Sequence, residues 1–158
     1  MTPAVNQAKK AGVTYQIHEY SHDAQQSSYG EEAAEKLGIA TARVFKTLVV
    51  QLDSGGLAVG IVPVSGMLNL KQLAKAAGAK KAAMADAKDV ERATGYVLGG
   101  VSPLGQKKRL PTFIDTSAEG FDTIFVSAGR RGLEIELAAG VLARLTNGRF
   151  APLAQGAG

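Results

Sequence analysis

The apolar residues of this chain recur with two periods, which predict two kinds of element. A spacing of three to four residues is typical of a helix with one buried face, and strict alternation is typical of a half-buried strand. Glycine, proline and asparagine separate these segments and set their ends. The pattern predicts helices at residues 3–11, 29–37, 70–77, 87–94 and 137–145. It predicts strands at residues 13–20, 44–52, 57–62, 81–84, 112–115, 122–127 and 133–136.

The order of these segments indicates the fold class. Strands outnumber helices, and the turn Asp53-Ser54-Gly55-Gly56 joins two of the strands as a hairpin. We therefore expect an α+β domain with a largely antiparallel, curled sheet. No internal repeat, linker or change of composition divides the chain. Residues 1–150 are predicted to form one domain, followed by a flexible tail at residues 151–158.

Composition restricts the class of protein. The 158 residues are 46% hydrophobic and 20% charged, which is typical of a compact soluble domain. The sequence contains neither an apolar run that could span a bilayer nor a signal-peptide layout, so we expect a cytoplasmic protein without a membrane partner. The chain has no cysteine and therefore supplies no disulfide, thiolate metal ligand or cysteine nucleophile of its own.

Positive charge is concentrated in short groups. The net charge of +4 is too small to require a polyanionic partner. However, Lys107-Lys108-Arg109 and Arg130-Arg131 each flank a glycine-rich segment, and basic groups beside a site are suited to nucleic-acid phosphates. The doublet Lys9-Lys10 is better explained as solvated surface charge.

Lys46 is an unusual residue for its position. It shares a strand face with the apolar residues Leu48, Val50 and Leu52. Burying an ammonium group without a partner is costly, so a lysine on such a face is uncommon. Two explanations stay open, a functional lysine and a side chain whose charged end reaches solvent.

Other titratable residues give weaker signals. His18 and His22 lie close together, but the chain has no third histidine and no cysteine to complete a ligand set, so no metal site is predicted. Glu134 and Glu136 share one strand face and form either a carboxylate pair or two solvated side chains. The P-loop, HExxH and GxSxG motifs are absent, which excludes three common catalytic classes.

The segment Thr94–Gly105 is the richest in turn-forming residues, with four glycines, a proline and a serine. Glycine allows close backbone approach, and amides without a strand partner can donate to a carbonyl or a developing oxyanion. An ordinary glycine-rich turn is the alternative explanation. A lysine and unpaired amides together suit an acyl carbonyl or the 3′ end of a nucleic acid.

Three motifs in this order resemble those of the YbaK-type Cys-tRNA(Pro) deacylases, relatives of the editing domain of bacterial prolyl-tRNA synthetase. They are Phe45-Lys46-Thr47-Leu48, Gly95-Tyr96 with Gly99–Gly105, and Gly132–Glu136. The resemblance extends from the opening Thr-Pro to about Phe150. It implies a mixed, mostly antiparallel, barrel-like β-sheet with flanking helices, and an enzyme that clears cysteine from mischarged tRNA(Pro) in trans. It implies no cofactor and no metal.

The resemblance also implies roles for individual residues. Lys46 is expected to hold the terminal ribose or phosphate, and the amides of Gly99, Gly100 and Val101 to surround the ester carbonyl. Further residues are expected to form or support the aminoacyl pocket, namely Tyr20, Tyr29, Thr47, Ser102, Pro103, Ser127, Gly129 and Glu136. The acceptor stem is expected to meet Lys107, Lys108, Arg109, Arg130 and Arg131.

The family is expected to use the thiol of the substrate cysteine as nucleophile, which fits a chain without cysteine. The expected partners are mischarged tRNA and prolyl-tRNA synthetase, with no role for DNA. Two alternatives stay open. One is a deacylase of Ala-tRNA(Pro) type that uses water, and the other is an RNA- or nucleotide-binding module without catalysis.

Overall fold

A computed structural model describes residues 1–23 and 29–155 of the chain, apart from the side chain of Tyr29. The helices are α1 (Pro3–Ala11), α2 (Tyr29–Leu37), α3 (Leu70–Ala76), α4 (Ala87–Thr94) and α5 (Ala139–Thr146). The strands are β1 (Gln16–Glu19), β2 (Phe45–Leu52), β3 (Leu57–Pro63), β4 (Met67–Leu68), β5 (Ala82–Met84), β6 (Thr112–Asp115), β7 (Ile124–Arg130), β8 (Leu133–Leu137), β9 (Arg149–Ala151) and β10 (Ala154–Gln155).

The strands form two main sheets that share one core. The larger sheet has the order β5-β2-β3-β6-β9, in which β6 lies parallel to β3 and β9, and the other pairs are antiparallel. The smaller sheet, β1-β8-β7, is antiparallel throughout. A single parallel bridge between Val44 and Phe125 connects the two sheets where β2 begins. The predicted α+β fold with a mixed, mostly antiparallel sheet is confirmed, although the curled sheets stay open and do not close into one barrel.

Short polar residues and glycines set the helix ends as predicted. The Thr2 hydroxyl accepts a hydrogen bond from the Val5 amide at 3.2 Å, and Gly12 ends α1 with a φ of 69°. Asn69 caps α3 in the same way, by accepting from the Gln72 amide at 3.1 Å. The spacing of Ser28 and Glu31 predicts a capping box at the start of α2, but Ser28 lies outside the described residues.

The C-terminal segment corrects one prediction. Residues 151–155 were expected to be loose, yet they contain the end of β9 and all of β10, and Leu153 is fully buried. The Asp115 carboxylate holds this segment by accepting from the amides of Leu153 and Ala154 at 2.8 and 2.9 Å. Burial alone would raise the pKa of Asp115, but the hydrogen bonds from Ser117, Leu153 and Ala154 hold it below the ordinary value.

The largest apolar cluster lies between the two sheets and the helices α1 and α5. It includes Ile61 from β3, Ile124 from β7, Ile135 from β8 and Leu142 from α5, all fully buried. No helix in the described part of the chain is long and apolar enough to cross a membrane. This core fixes the relative positions of β2, β7 and β8, the strands that carry the candidate site.

Candidate functional site

A cavity of about 230 Å³ opens between the start of β2, the first turn of α2, the segment after α4, and the β7–β8 hairpin. Six of the residues predicted from the sequence to form the site lie in its lining, together with one that was predicted to contact tRNA. They are Tyr20, Lys46, Thr47, Gly99, Val101, Ser127 and Arg131. The lining is completed by Gly30, Val44, Phe45, Leu48, Leu98 and Glu134. Residues far apart in sequence are thus brought to one place by the curl of the sheets.

Strand β2 positions Lys46 and Thr47 in the cavity. Its pairing with β3 places them opposite Val62 and Ile61. Lys46 is half-buried, and the Thr47 hydroxyl is buried without a hydrogen-bond partner among the described residues. A buried hydroxyl that lacks a partner is uncommon, because the loss of its bonds to water is not compensated. Because this oxygen is itself buried, Thr47 borders the cavity without exposing its hydroxyl to it.

The glycine-rich loop offers fewer amides to the cavity than predicted. Gly99, with a φ of 90°, and Val101 line the cavity, and their amides donate to no acceptor in the described part of the chain. In contrast, the Gly100 amide donates to the Val97 carbonyl at 3.0 Å, which corrects the expectation that it meets an ester carbonyl. A Cβ at Gly100 would lie 3.0 Å from the Cα of Arg130, so this glycine serves close packing against β7.

Ser102 and Pro103 lie behind the loop and not in the cavity. The Ser102 hydroxyl accepts from the Leu104 amide at 3.2 Å, and Pro103 is buried on the side away from the cavity. The Tyr96 hydroxyl donates to the Leu104 carbonyl at 2.6 Å, and burial raises the pKa of Tyr96 to about 12. These bonds stabilise the loop conformation that places Gly99 and Val101 at the cavity.

Glu134 is a site residue that the sequence analysis did not assign. It is only 6% exposed, and burial raises the pKa of its carboxyl group to about 8. Antiparallel pairing places it directly opposite Ser127, another cavity residue. The signal was present in the sequence, because a turn at Gly129–Gly132 brings positions 127 and 134 to the same register. Neither earlier explanation, a carboxylate pair or a solvated side chain, applies to Glu134.

Glu136 lies outside the cavity, so of its two predicted roles, rim or support of the pocket, only support remains. Its carboxylate contacts His18 at 2.8 Å, Arg43 at 3.1 Å and the Thr123 hydroxyl at 2.5 Å. Burial opposes ionisation of Glu136, but the hydrogen bonds from Thr123 and His18 and the charge of Arg43 hold its pKa below the ordinary value. This network ties β8 to β1 and to the turn that precedes β2.

The two predicted aromatic walls differ in what the structure describes. Tyr20 lies in the cavity, and its pKa is raised, first by burial and then by the nearby carboxyl group of Glu134. Tyr29 begins α2, but its side chain lies outside the described residues; its neighbour Gly30 lines the cavity.

Gly129 supports the hairpin from behind. Its φ is 111°, and a Cβ there would lie 2.8 Å from the ring of Tyr96. Its amide donates to the Ser127 hydroxyl at 3.1 Å, which orients that side chain. Ser127 and Gly129 were both predicted to form or support the pocket; Ser127 lines the cavity, and Gly129 supports Ser127.

The basic residues fall into two groups. Lys107, Lys108, Arg109 and Arg130 are exposed and do not line the cavity, and the amides of the two lysines donate to the carbonyls of Thr94 and Ala93 at the end of α4. Arg131 lines the cavity and forms an ion pair with Glu32 at 3.2 Å. Its guanidinium group is partly exposed and paired with Glu32, so a contact of Arg131 with the acceptor stem stays a prediction.

Comparison with known proteins identifies a family that this chain matches. Residues 24–145 match the family model described as the aminoacyl-tRNA editing domain. EbsC of Enterococcus faecalis, named as a candidate Cys-tRNA(Pro)/Cys-tRNA(Cys) deacylase, is 43% identical over 152 residues, which cover 96% of this chain and 92% of that protein. The uncharacterized protein YwhH of Bacillus subtilis is 29% identical over 107 residues, 68% of each chain. The crystal structure of a candidate trans-editing enzyme for prolyl tRNA synthetase has the same fold, with a TM-score of 0.84, 22% identity and 99% of each chain covered.

Proposed function

Because the chain belongs to the aminoacyl-tRNA editing domain family, we propose that it is a trans-editing deacylase that removes cysteine from Cys-tRNA(Pro). The observation that carries this proposal is the composition of the cavity. A lysine, two residues with unpaired amides and a buried carboxyl group line a space suited to a small amino acid. The 43% identity to EbsC supports cysteine as the amino acid.

Each polar group of the cavity matches one part of an aminoacyl ester. The ammonium group of Lys46 binds the terminal ribose or phosphate, and Thr47 forms part of the wall beside the same nucleotide. The amides of Gly99 and Val101 bind the ester carbonyl oxygen. Tyr20 forms a wall beside the side chain, and Glu134, once ionised, pairs with the α-ammonium group. The substrate thus supplies the partners that the cavity groups lack.

The substrate thiol is the nucleophile in this proposal. Its sulfur forms a bond to the ester carbonyl carbon, the bond from that carbon to the ribose oxygen breaks, and a four-membered cyclic thioester leaves. The proton lost by the thiol is balanced by the one that the released ribose hydroxyl gains from solvent. Holding the thiol in attack geometry contributes on the order of 7–11 kcal/mol at the favourable extreme. Each oxyanion donor contributes about 3 kcal/mol, so no cysteine of the protein is required.

The exposed basic residues complete the proposal. Lys107, Lys108, Arg109 and Arg130 bind the phosphates of the acceptor stem, and a net charge of only +4 makes this binding weak. Recruitment through prolyl-tRNA synthetase would compensate for weak binding, and we propose that synthetase as the partner.

Single-turnover deacylation of Cys-tRNA(Pro), Ala-tRNA(Pro) and Pro-tRNA(Pro) tests the proposal. The wild type is expected to release cysteine alone, and Lys46→Ala is expected to lower the rate by roughly 100-fold or more. Lys75→Ala, which removes an exposed lysine on α3, is the matched control and should keep the wild-type rate. Release of alanine instead would assign the cavity to a water-using deacylase, and release of no amino acid would favour a binding module.

A further inference from the structure

Glu32, in the first turn of α2, is a buried carboxylate with a defined set of partners. Its side chain is 1% exposed, and the neighbouring residues Ala33 and Ala34 belong to an apolar cluster. A charge in such surroundings is tolerated only when it is paired and hydrogen-bonded. Glu32 meets this requirement through Arg131 at 3.2 Å and the Asp23 amide at 2.6 Å.

Arg131 connects three parts of the chain. Its guanidinium group contacts Glu32 through both Nε and Nη2, and Nη2 also donates to the Asp23 carbonyl at 2.7 Å. Arg131 itself lies in the turn between β7 and β8. The rigid planar fork of arginine is suited to holding several acceptors in one arrangement, which lysine cannot reproduce.

This connection sets the position of a cavity wall. Gly30, two residues before Glu32, lines the cavity, and a Cβ at Gly30 would lie 2.2 Å from a methyl group of Val64. Helix α2 therefore packs against Val64 through Gly30 and is bound to Arg131 through Glu32. The charges of Glu32 and Arg131 both act on the Tyr20 hydroxyl, so the ion pair adjoins the aromatic wall of the cavity.

We infer that Arg131 is a positioning residue, whose ion pair with Glu32 holds the first turn of α2 as a wall of the cavity and so keeps the bound aminoacyl group in attack geometry. This inference rests on the proposed deacylase function. Arg131 then acts through α2, and its loss reduces the rate of the chemical step without weakening tRNA binding. A displacement of about 1 Å at a reacting centre can lower a rate by about 100-fold.

The test measures single-turnover rates on Cys-tRNA(Pro) over a range of enzyme concentrations. Arg131→Gln and Glu32→Gln are each expected to lower the maximal rate about 10- to 100-fold, while the half-saturating enzyme concentration changes less than about two-fold. The double variant should be no slower than the slower single variant, because both remove the same connection. Arg131→Lys should recover only part of the rate, since it restores the charge without the fork.

Matched controls remove a carboxylate and a guanidinium group at exposed positions outside the ion pair. Glu35→Gln changes an exposed residue of the same helix, and Arg92→Gln changes an exposed arginine of α4; both should keep the wild-type rate. Urea unfolding of every variant establishes that the assays contain folded protein. A Glu32→Gln variant with the wild-type rate, beside an Arg131→Gln variant with a raised half-saturating concentration, would overturn the inference, since Arg131 would then contact the tRNA directly.

Amide hydrogen exchange gives a readout that is independent of activity. Arg131→Gln and Glu32→Gln are expected to increase exchange in α2 (Tyr29–Leu37) and to leave β2 unchanged. If the wild type released no amino acid, the proposed function would fail, while increased exchange confined to α2 would still support the positioning role. Unchanged exchange in α2 would overturn that role whatever the activity.

Discussion

At the scale of single residues, Glu134 shows how far a strand position can be removed from water. The sequence presents it as one of two glutamates on a strand face, and the structure separates the two completely. Glu136 is ionised among His18, Arg43 and Thr123, whereas Glu134 is buried in the cavity opposite Ser127. The difference arises from the neighbouring strands, because β1 places His18 beside Glu136 and β7 places Ser127 opposite Glu134.

The raised pKa of Glu134 predicts a pH dependence of stability. Its pKa rises from an ordinary value of 4.5 to about 8 on folding, so the folded protein binds a proton that the unfolded chain releases. The favourable contribution of neutral Glu134 is complete below the unfolded pKa and is lost as pH rises through the folded pKa. Between about pH 5 and about pH 9, the free energy of unfolding should therefore fall by an amount on the order of 3–5 kcal/mol from this group.

Urea unfolding of the wild type and of Glu134→Gln over this pH range measures the effect. The glutamine variant has a similar shape and cannot ionise, so it should lack this part of the pH dependence. Glu91→Gln, which changes an exposed glutamate of α4, should keep the wild-type dependence. Identical pH profiles for the wild type and Glu134→Gln would contradict the prediction.

At the scale of elements, the pattern of apolar residues predicted a helix or strand correctly wherever the segment was long and ended at glycine, proline or a capping residue. Helix α1 lies between Thr2-Pro3 and Gly12, and the β2–β3 hairpin contains a glycine-rich turn, so both were predicted close to their observed bounds. The short strands β9 and β10 have too few residues to show a period, and they depend on the Asp115 carboxylate from elsewhere in the chain. They could not be predicted from local sequence.

In the candidate site, too, residues in local motifs could be predicted, whereas contacts between distant parts of the chain could not. Lys46, Thr47, Gly99 and Val101 were predicted from local motifs, and all four line the cavity. The ion pair between Glu32 and Arg131 joins residues that are 99 positions apart, and neither residue shows locally which partner it has. Arg131 was therefore grouped with Arg130 as a contact to the acceptor stem, although Arg130 is exposed and Arg131 only partly so.

The contact between the glycine-rich loop and α1 gives a prediction at this scale. Gly105 and Gly12 have nearly the same backbone conformation, with φ of 67° and 69°, but a Cβ at Gly105 would lie 2.4 Å from the carbonyl carbon of Pro3, whereas a Cβ at Gly12 would meet nothing within 4 Å. Gly12→Ala is expected to cost about 1–2 kcal/mol, from the left-handed conformation alone. Gly105→Ala must also displace the loop or α1, and we expect it to cost at least about 2 kcal/mol more.

Urea unfolding of the two alanine variants provides the comparison. Because the backbone cost is shared, the difference between their unfolding free energies reports the close contact. Deacylation by Gly105→Ala should also be slower, since the same loop carries Gly99 and Val101. Equal unfolding free energies for the two variants would show that the loop is not packed tightly on α1.

At the scale of the whole molecule, charge and cavity lie on different parts of the surface. The exposed triplet Lys107-Lys108-Arg109 follows the glycine-rich loop, at the end of α4, and does not line the cavity. Its predicted role is therefore to bind the acceptor stem and not the reacting ester. The proposed function therefore predicts that tRNA binding and chemistry use separate surfaces, so that a substitution can change one without the other.

Replacement of all three residues of the triplet by glutamine tests this separation. KM for charged tRNA should rise several-fold at physiological salt, kcat should change little, and the dependence of KM on salt should become weaker because fewer phosphates are neutralised. Lys9→Gln with Lys10→Gln removes two exposed lysines from α1 as the control, and should leave KM within about two-fold of the wild type. An unchanged KM for the triplet variant would place the tRNA on another surface.

The contact between Gly30 of α2 and Val64 also restricts which residues can occupy these two positions in members of this family. With 2.2 Å between a Cβ at position 30 and the Val64 methyl group, a side chain at position 30 would require Val64 or α2 to shift. The two positions should therefore change together in evolution: relatives with alanine or serine at 30 are expected to carry glycine or alanine at 64. Because position 30 lines the cavity, such coupled substitutions would change its wall, and the lineages that carry them are where a changed choice of amino acid should be sought.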